Sequence, residues 1–180
     1  IDKINVIAAS DGSSDKGPEI VRKLQKKYKT LELKEFESMG KNAVLNLITP
    51  DIQTELIFFL DADSRPDKGA IEKMVRIFSD RKVGAVLSSL RYINQFGEDT
   101  GGRGEKLYQA FESWIRISES SIHATVNSVG NFYAVRRKYY KSLPNDLIAD
   151  DFLPLLNVLE SGGRIIFDPD IVINEIRGKS

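Results

Sequence analysis

The run Leu56-Ile57-Phe58-Phe59-Leu60 constrains the fold more than any other stretch, because it carries the chain straight into Asp61-Ala62-Asp63. A continuous apolar run of this length predicts a strand buried on both faces, as in a parallel sheet covered by helices. Asp61 and Asp63 then fall at the carboxyl end of that strand, and in open α/β sheets those ends form the ligand crevice. Paired carboxylates there suit a hard divalent cation, Mg²⁺ or Mn²⁺, held through oxygen and shared with a phosphate ligand. A solvated turn is the plain alternative, since the turns that follow strands are also rich in Asp.

At 180 residues and 41% hydrophobic content, the chain is sized for a single domain with a substantial core. Lys and Arg number 26, as do Asp and Glu, so no basic excess draws in a phosphate backbone and nucleic acid is excluded as an expected partner. The lack of cysteine removes disulfides, thiolate nucleophiles and zinc-cysteine sites. The one histidine, His123, stands near the end of a predicted helix, with too little around it for a metal cluster or a Ser-His-Asp triad. No stretch reaches the roughly 20 apolar residues of a spanning helix. The chain opens at Ile1-Asp2-Lys3 without Met and enters the strand Ile4 to Ala9 at once, which reads as a piece of something longer.

Strand and helix signals alternate along the chain. Ser10 to Asp15 is a turn-rich loop, Gly17-Pro18 opens a helix with Ile20, Val21, Leu24 and Tyr28 at helical spacing, and its lysines form a solvated face. Leu31 to Phe36 alternates as a half-buried edge strand, and Gly40-Lys41-Asn42-Ala43 opens the next helix. Pro66-Asp67 is expected to start a helix carrying Ile71, Met74, Val75 and Phe78, followed by a strand over Val83 to Ser88. This succession predicts a doubly wound, mostly parallel sheet flanked by helices. Phe96 to Gly104 is the most flexible-looking stretch, and the helix after it places Leu107, Phe111, Trp114, Ile115 and Ile122 on one side as core or partner contacts. Val129 to Val135 is a strand ending in Arg136-Arg137; Asp150-Asp151 precede a helix over Phe152 to Leu159; Arg164 to Asp168 and Ile171 to Asn174 make two late strands.

Asp11, the Asp61/Asp63 pair and the Asp150/Asp151 pair therefore all fall at strand ends or helix starts. Each has a structural explanation: Asp11 capping a turn, Asp61 and Asp63 solvated, Asp150 or Asp151 serving as an N-cap worth about 1 kcal/mol. Together with the blocks around them they resemble a known family. Ser10-Asp11-Gly12-Ser13-Ser14-Asp15, Gly40-Lys41-Asn42-Ala43-Val44-Leu45-Asn46, Asp61-Ala62-Asp63-Ser64, Gly130-Asn131-Phe132-Tyr133-Ala134-Val135-Arg136-Arg137 and Asp150-Asp151 are similar, in order, to the motifs of family 2 glycosyltransferases of the GT-A fold.

The resemblance implies a catalytic domain that moves a sugar from a nucleoside diphosphate sugar, UDP-sugar first, to an acceptor hydroxyl with inversion. It implies that Asp11 accepts a hydrogen bond from the base, that Lys41 lies near the base or diphosphate, and that Asp61 faces the ribose or metal shell. Asp63 would hold Mg²⁺ or Mn²⁺, Asp151 would take the acceptor's proton, and Asp150 stands where the family more often has Glu. Residues 1–90 would form the nucleotide-sugar half and 91–180 the acceptor and catalytic-base half. The expected acceptor is a saccharide or a lipid-linked group, in polysaccharide or glycolipid synthesis on the cytoplasmic side, with a membrane-associated parent. The family's first strand and its Gln-x-x-Arg-Trp block are missing, which fits truncation at both ends and leaves processivity open.

Three other readings compete. A haloacid dehalogenase-like phosphohydrolase would use Asp61 as nucleophile, Asp63 as acid/base and Ser88 at a later strand end, but Arg65 stands where that family usually has Thr or Val. A calcium loop over Asp61, Asp63, Asp67 and Glu72 has Pro66 where the turn needs Gly. A non-catalytic nucleotide-sugar binding module would keep Asp11 and Asp63 and tolerate loss of Asp151.

Overall fold

The computed structural model describes residues 4–94, 96–122, 124–125, 131–145 and 151–176. The chain divides into two compact units, one formed by 1–52 with 142–148 and the other by 53–141 with 149–180.

In the first unit, β1 (Val6–Asp11) and β2 (Leu31–Phe36) pair in parallel, from Val6 opposite Leu31 to Asp11 opposite Phe36, with α1 (Gly17–Lys27) connecting them. Asp15 starts α1 by accepting the Gly17 N–H at 2.9 Å, and Pro18 occupies the first turn, where its missing N–H costs nothing. Gly12 follows β1 with φ +69°, and a Cβ on it would stand 2.9 Å from Ser38 Cβ, so glycine is required there on both counts. Helix α2 (Lys41–Ile48) is tied to the later chain by its asparagines. Asn46 both donates to Leu143 O at 2.7 Å and accepts Leu143 N–H at 2.8 Å, and Asn42 donates to Pro144 O at 3.1 Å.

The second unit is built on a five-stranded sheet in the order β3-β6-β5-β7-β4, from β3 (Leu56–Leu60), β4 (Ser64–Pro66), β5 (Val83–Ile93), β6 (Phe132–Arg136) and β7 (Arg164–Ile176). Alternation along β5 and β6 sorts side chains to two faces. Val86, Phe132 and Ala134 pack with Met74 and Phe78 of the segment containing α3 (Ala70–Ile77). Ala85, Leu87, Tyr133 and Val135 pack with Leu155 and Val158 of α5 (Phe152–Glu160). Each fully buried Met, Leu or Val of these layers contributes about 1.5–3 kcal/mol by leaving water. Helix α5 lies so close to the sheet that a Cβ on Gly84 would stand 2.4 Å from Val158 Cγ1.

Arg136, at the end of β6 and 5% exposed, binds the backbone of this unit together. Its Nε donates to Val83 O at 2.7 Å and its Nη2 to Phe78 O at 2.6 Å, the guanidinium lies over the Phe78 ring, and Nη1 pairs with the exposed carboxylate of Glu55. The first arginine of the Arg136-Arg137 pair is thus a structural clamp.

Several expectations are corrected. The flanked α/β sheet is present, but its strand sense is mixed rather than mostly parallel: β3–β6, β5–β6 and β4–β7 run antiparallel, while β1–β2 and β5–β7 run parallel. The expected parallel connection is present from β3 through α3 to β5, both of which run antiparallel to β6 between them, whereas β5 and β6, separated in the chain by α4 (Arg103–Ile122), are antiparallel neighbours. Strand β3 is not buried on both faces: it is the edge strand of its sheet, with Ile57 buried and Leu60 49% exposed. Pro66 closes the short strand β4 instead of starting α3, because its pairing with Ile173 of β7 extends the backbone there. β5 runs five residues beyond Ser88, to Ile93, held by β7 alongside. The two late strands are one strand, β7, whose pairing with β5 jumps from Phe167 to Val172 across a bulge.

The polarity of α4 is inverted relative to a core helix. Leu107, Phe111, Trp114 at 64% and Ile122 at 85% are exposed, whereas Arg116 and Ser120 are buried. Ser120 Oγ accepts the Phe167 N–H at 3.1 Å and Arg116 lies over the Phe167 ring, so polar side chains hold this helix to β7. The predicted aromatic stripe is therefore not core. Among the described residues no helix is long and apolar enough to cross a membrane.

Candidate functional site

Two clusters of the expected site residues are on view, one in each unit. In the first, Asp11 ends β1 and spends its carboxylate on backbone: Oδ1 accepts the Met39 N–H at 2.7 Å and Oδ2 the Gly40 N–H at 2.9 Å. This is the turn-capping role, and it brings Asp11 beside the start of α2, where Lys41 is the first helical residue and is exposed. A carboxylate has about four lone-pair sites, so these amides leave acceptor capacity on both oxygens.

In the second unit, Asp61-Ala62-Asp63 forms the turn between β3 and β4. Its backbone is fixed: Asp61 N–H donates to Asn131 O at 3.1 Å, and Ser64 N–H donates to Asp61 O at 3.1 Å. Ser64 is buried and pairs across to Glu175 of β7, while Ala62 and Asp63 face solvent. Asp63 takes a long 3.5 Å contact from Ser64 Oγ. The turn thus presents Asp63 on a rigid support.

Asp151 occupies the N-cap position of α5, yet its side chain makes no capping hydrogen bond. The explanation of this residue as a helix cap is not realised, and the residue is half-buried. Asp150, His123 and Gly130 lie outside the described residues.

Among the described residues no three His, Cys, Asp or Glu side chains gather where they could hold a metal ion. A cation at this turn would therefore be held by one or two carboxylates and complete its shell with phosphate oxygens and water, which is how Mg²⁺ commonly sits on phosphate ligands. The acidic turn fits that arrangement. The calcium-loop reading does not fit, because Asp67 is engaged elsewhere: its Oδ1 accepts Asn174 Nδ2 at 2.6 Å, and Arg91 stands 3.7 Å from Oδ2. Ser88, the phosphohydrolase candidate, is fully buried and donates to Phe132 O at 2.6 Å.

Sequence reasoning passed over Asn131 and Glu175 as site residues, although Asn131 Nδ2 donates to Glu175 Oε2 at 2.6 Å right beside the acidic turn. Asn131 was visible only as part of a block, and no spacing signal marks Glu175, because its proximity arises from strand register.

Comparisons with known proteins bear on the family and the fold. The family model for glycosyl transferase family 2 matches residues 1–143. A beta-monoglucosyldiacylglycerol synthase from Trichormus variabilis is 29% identical over 131 residues, which cover 71% of this chain and 28% of that protein. The chain thus spans well under a third of this curated relative's length. Among solved structures, the mannosyltransferase PcManGT from Pyrobaculum calidifontis, in complex with GDP-Man and Mn²⁺, superposes with a TM-score of 0.78 at 26% identity, covering 99% of this chain and 49% of that one. GalNAc-T7 with UDP, GalNAc and Mn²⁺ superposes at 0.67 with 12% identity, over 96% of this chain and 38% of that one, a likeness of fold alone. With most of its length matched by the family model and its strands and helices laid out as in those neighbours, the chain belongs to glycosyl transferase family 2 and has the GT-A fold.

Proposed function

We propose that this chain is the donor-binding and catalytic part of an inverting, metal-dependent glycosyltransferase that moves a sugar from a nucleoside diphosphate sugar to an acceptor hydroxyl. The observation that carries the reading is the acidic turn, whose backbone is fixed while Asp63 stays exposed. Asp63 holds Mg²⁺ or Mn²⁺, with Asp61 at the ribose or metal shell. When bound, the cation supplies positive charge where the departing diphosphate becomes more negative. Asp11, Lys41 and Asp150 bind the nucleotide sugar, Asp11 through the acceptor capacity its two amides leave. Asp151 takes the proton of the acceptor hydroxyl as that oxygen attacks the anomeric carbon opposite the breaking bond, which inverts the configuration.

UDP-sugar is the donor class we favour, and the neighbour solved with GDP-Man makes guanine the competing base. The relative's name, a beta-monoglucosyldiacylglycerol synthase, supports glycolipid synthesis by a membrane-associated parent, for which we place the reaction at the cytoplasmic side. Residues 1–90 serve the donor and 91–180 the acceptor, a saccharide or lipid-linked group. A cavity of about 490 Å³ lined by residues including Tyr92, Tyr108, Gln109 and Arg116 supports the second assignment.

Calorimetric titration of UDP, GDP and dTDP, in Mn²⁺ and then in EDTA, tests the reading. Metal-dependent binding of one nucleotide, lost in Asp63→Ala, is the expected result. Binding that ignores both EDTA and Asp63→Ala moves the metal elsewhere.

A further inference from the structure

We propose that Glu175 is a positioning residue for the acidic turn and acts on it through Asn131. This rests on reading the Asp61–Asp63 turn as the donor site. Four residues close a ring. Asp61 N–H donates to the backbone carbonyl of Asn131 at 3.1 Å, and the side-chain amide of the same Asn131 donates to Glu175 Oε2 at 2.6 Å. Glu175 pairs on β7 opposite Ser64 of β4, and Ser64 N–H returns to Asp61 O at 3.1 Å. Both ends of the turn are thereby referred to one glutamate.

The contacts are of unequal kind, and this identifies the controlling member. The Asn131–Glu175 bond is charge-assisted and short, the class that is roughly twice as strong as a neutral pair. It fixes the side chain of Asn131, and with it the orientation of the peptide carbonyl that receives Asp61. Asn131 stands just before β6, one step past Leu60 opposite Phe132, the last pair of the β3–β6 ladder, so its carbonyl receives Asp61 at the open end of that ladder, where the bond to Glu175 adds a hold that strand pairing beyond it does not supply. A part-buried glutamate next to a turn that already carries Asp61 and Asp63 adds negative charge where a cation is to be held. Glutamine could accept the same hydrogen bond without that charge, which lets position be separated from electrostatics. Displacement of a positioned group by about 1 Å costs as much as 10²-fold in an active site, so a tether of this kind is felt in function before it is felt in stability.

The test uses Glu175→Ala, Glu175→Gln and Asn131→Ala, with two readouts. The first is hydrogen exchange at the Asp61 amide, which needs no ligand. Both alanine variants are expected to speed it about tenfold, the scale of one lost charge-assisted hydrogen bond, while amides in α3 and β5 keep their protection. The second is affinity for UDP and GDP in Mn²⁺, expected to weaken about tenfold in the alanine variants and to stay within about threefold in Glu175→Gln. Unchanged Asp61 exchange in both alanine variants overturns the tether. Weakening in Glu175→Gln as large as in Glu175→Ala overturns positioning in favour of charge. A wild-type protein that binds neither nucleotide with metal refutes the donor-site reading, while exchange still decides the tether. If Glu175→Ala fails to fold, Asn131→Ala carries the same two expectations.

Discussion

Strands β1 and β3 both deliver an aspartate at their ends, and the two acids are used in opposite ways. Asp11 gives an oxygen to each of two backbone amides and so anchors the approach to α2. Asp63 accepts from no backbone amide among the described residues and takes only a long contact from Ser64 Oγ: the backbone around it is held by Asn131 and Ser64, and the residue faces solvent. Asp151 belongs with Asp63, since it sits at a helix start without capping it. An acid at a strand end thus serves the fold where loose amides surround it, and does not where the amides are satisfied by other groups.

The largest effect that can break this comparison is expected at Asp151. Asp151→Asn should lower the transfer rate of the intact protein by about 10²–10⁴-fold, the usual worth of a positioned base. The melting temperature should hardly move and nucleotide affinity should stay within a few-fold. Turnover rates, calorimetric melts and nucleotide titration check this together. Lost stability with retained turnover would place Asp151 beside Asp11.

Next in size is Arg136, the clearest case of a motif residue consumed by the fold. Arg136→Met removes a buried cation that satisfies the carbonyls of Val83 and Phe78, and should cost about 1–3 kcal/mol for each carbonyl left without its donor, read in denaturant unfolding. Its partner Glu55 is exposed and contributes little, so Glu55→Gln should change stability by under about 1 kcal/mol. Equal effects from the two substitutions would show that the ion pair, and not the carbonyl clamp, is what matters.

Asp11→Ala should be smaller, about 1–3 kcal/mol, because it strands the amides of Met39 and Gly40 at a site where water has partial access. Asp63→Ala should leave unfolding unchanged, and thermal melts of the two variants side by side measure the contrast directly. A destabilisation by Asp63→Ala as large as that by Asp11→Ala would erase the distinction between the two strand ends.

How much of this was legible in the sequence follows the range of the interactions. Local signals carried well: the alternation in Leu31 to Phe36 coincides with β2, and Gly17-Pro18 marks the start of α1. The acidic turn and the family blocks were readable because they are contiguous. What escaped was set by register and by partners distant in sequence. The run Leu56 to Leu60 looks like a central strand from its apolarity, but among the described residues its one neighbour in the sheet, β6, comes more than seventy residues later. Leu107, Phe111 and Trp114 share a helix side, and periodicity alone places such a side inward; the anchors of α4, Arg116 and Ser120, are polar and find Phe167 through tertiary packing. Glu175 is likewise silent until β7 lies beside β4.

The smallest expected effect comes from a third acid, Asp99, which repeats the Asp11 arrangement in the open. Its Oδ1 accepts the Gly101 N–H at 2.8 Å, and Lys106 Nζ stands 3.2 Å from Oδ2. The Gly101 amide first, and then the Lys106 ammonium, hold its carboxyl below the ordinary value of 3.8. A depressed folded value means that the unfolded chain binds the proton more tightly. The stabilisation is therefore fully present above 3.8 and is lost as pH falls through the lower folded value. Asp99 is fully exposed, so screening keeps the effect on unfolding slight and the titration itself is the sensitive readout. An NMR titration of the Asp99 carboxyl in Lys106→Ala should still give a midpoint below 3.8, because the larger cause, the amide, remains. A return to the ordinary value on losing Lys106 would assign the shift to the cation, and capture of backbone amides by an acid would then matter less at this turn than the Asp11 geometry leads one to expect.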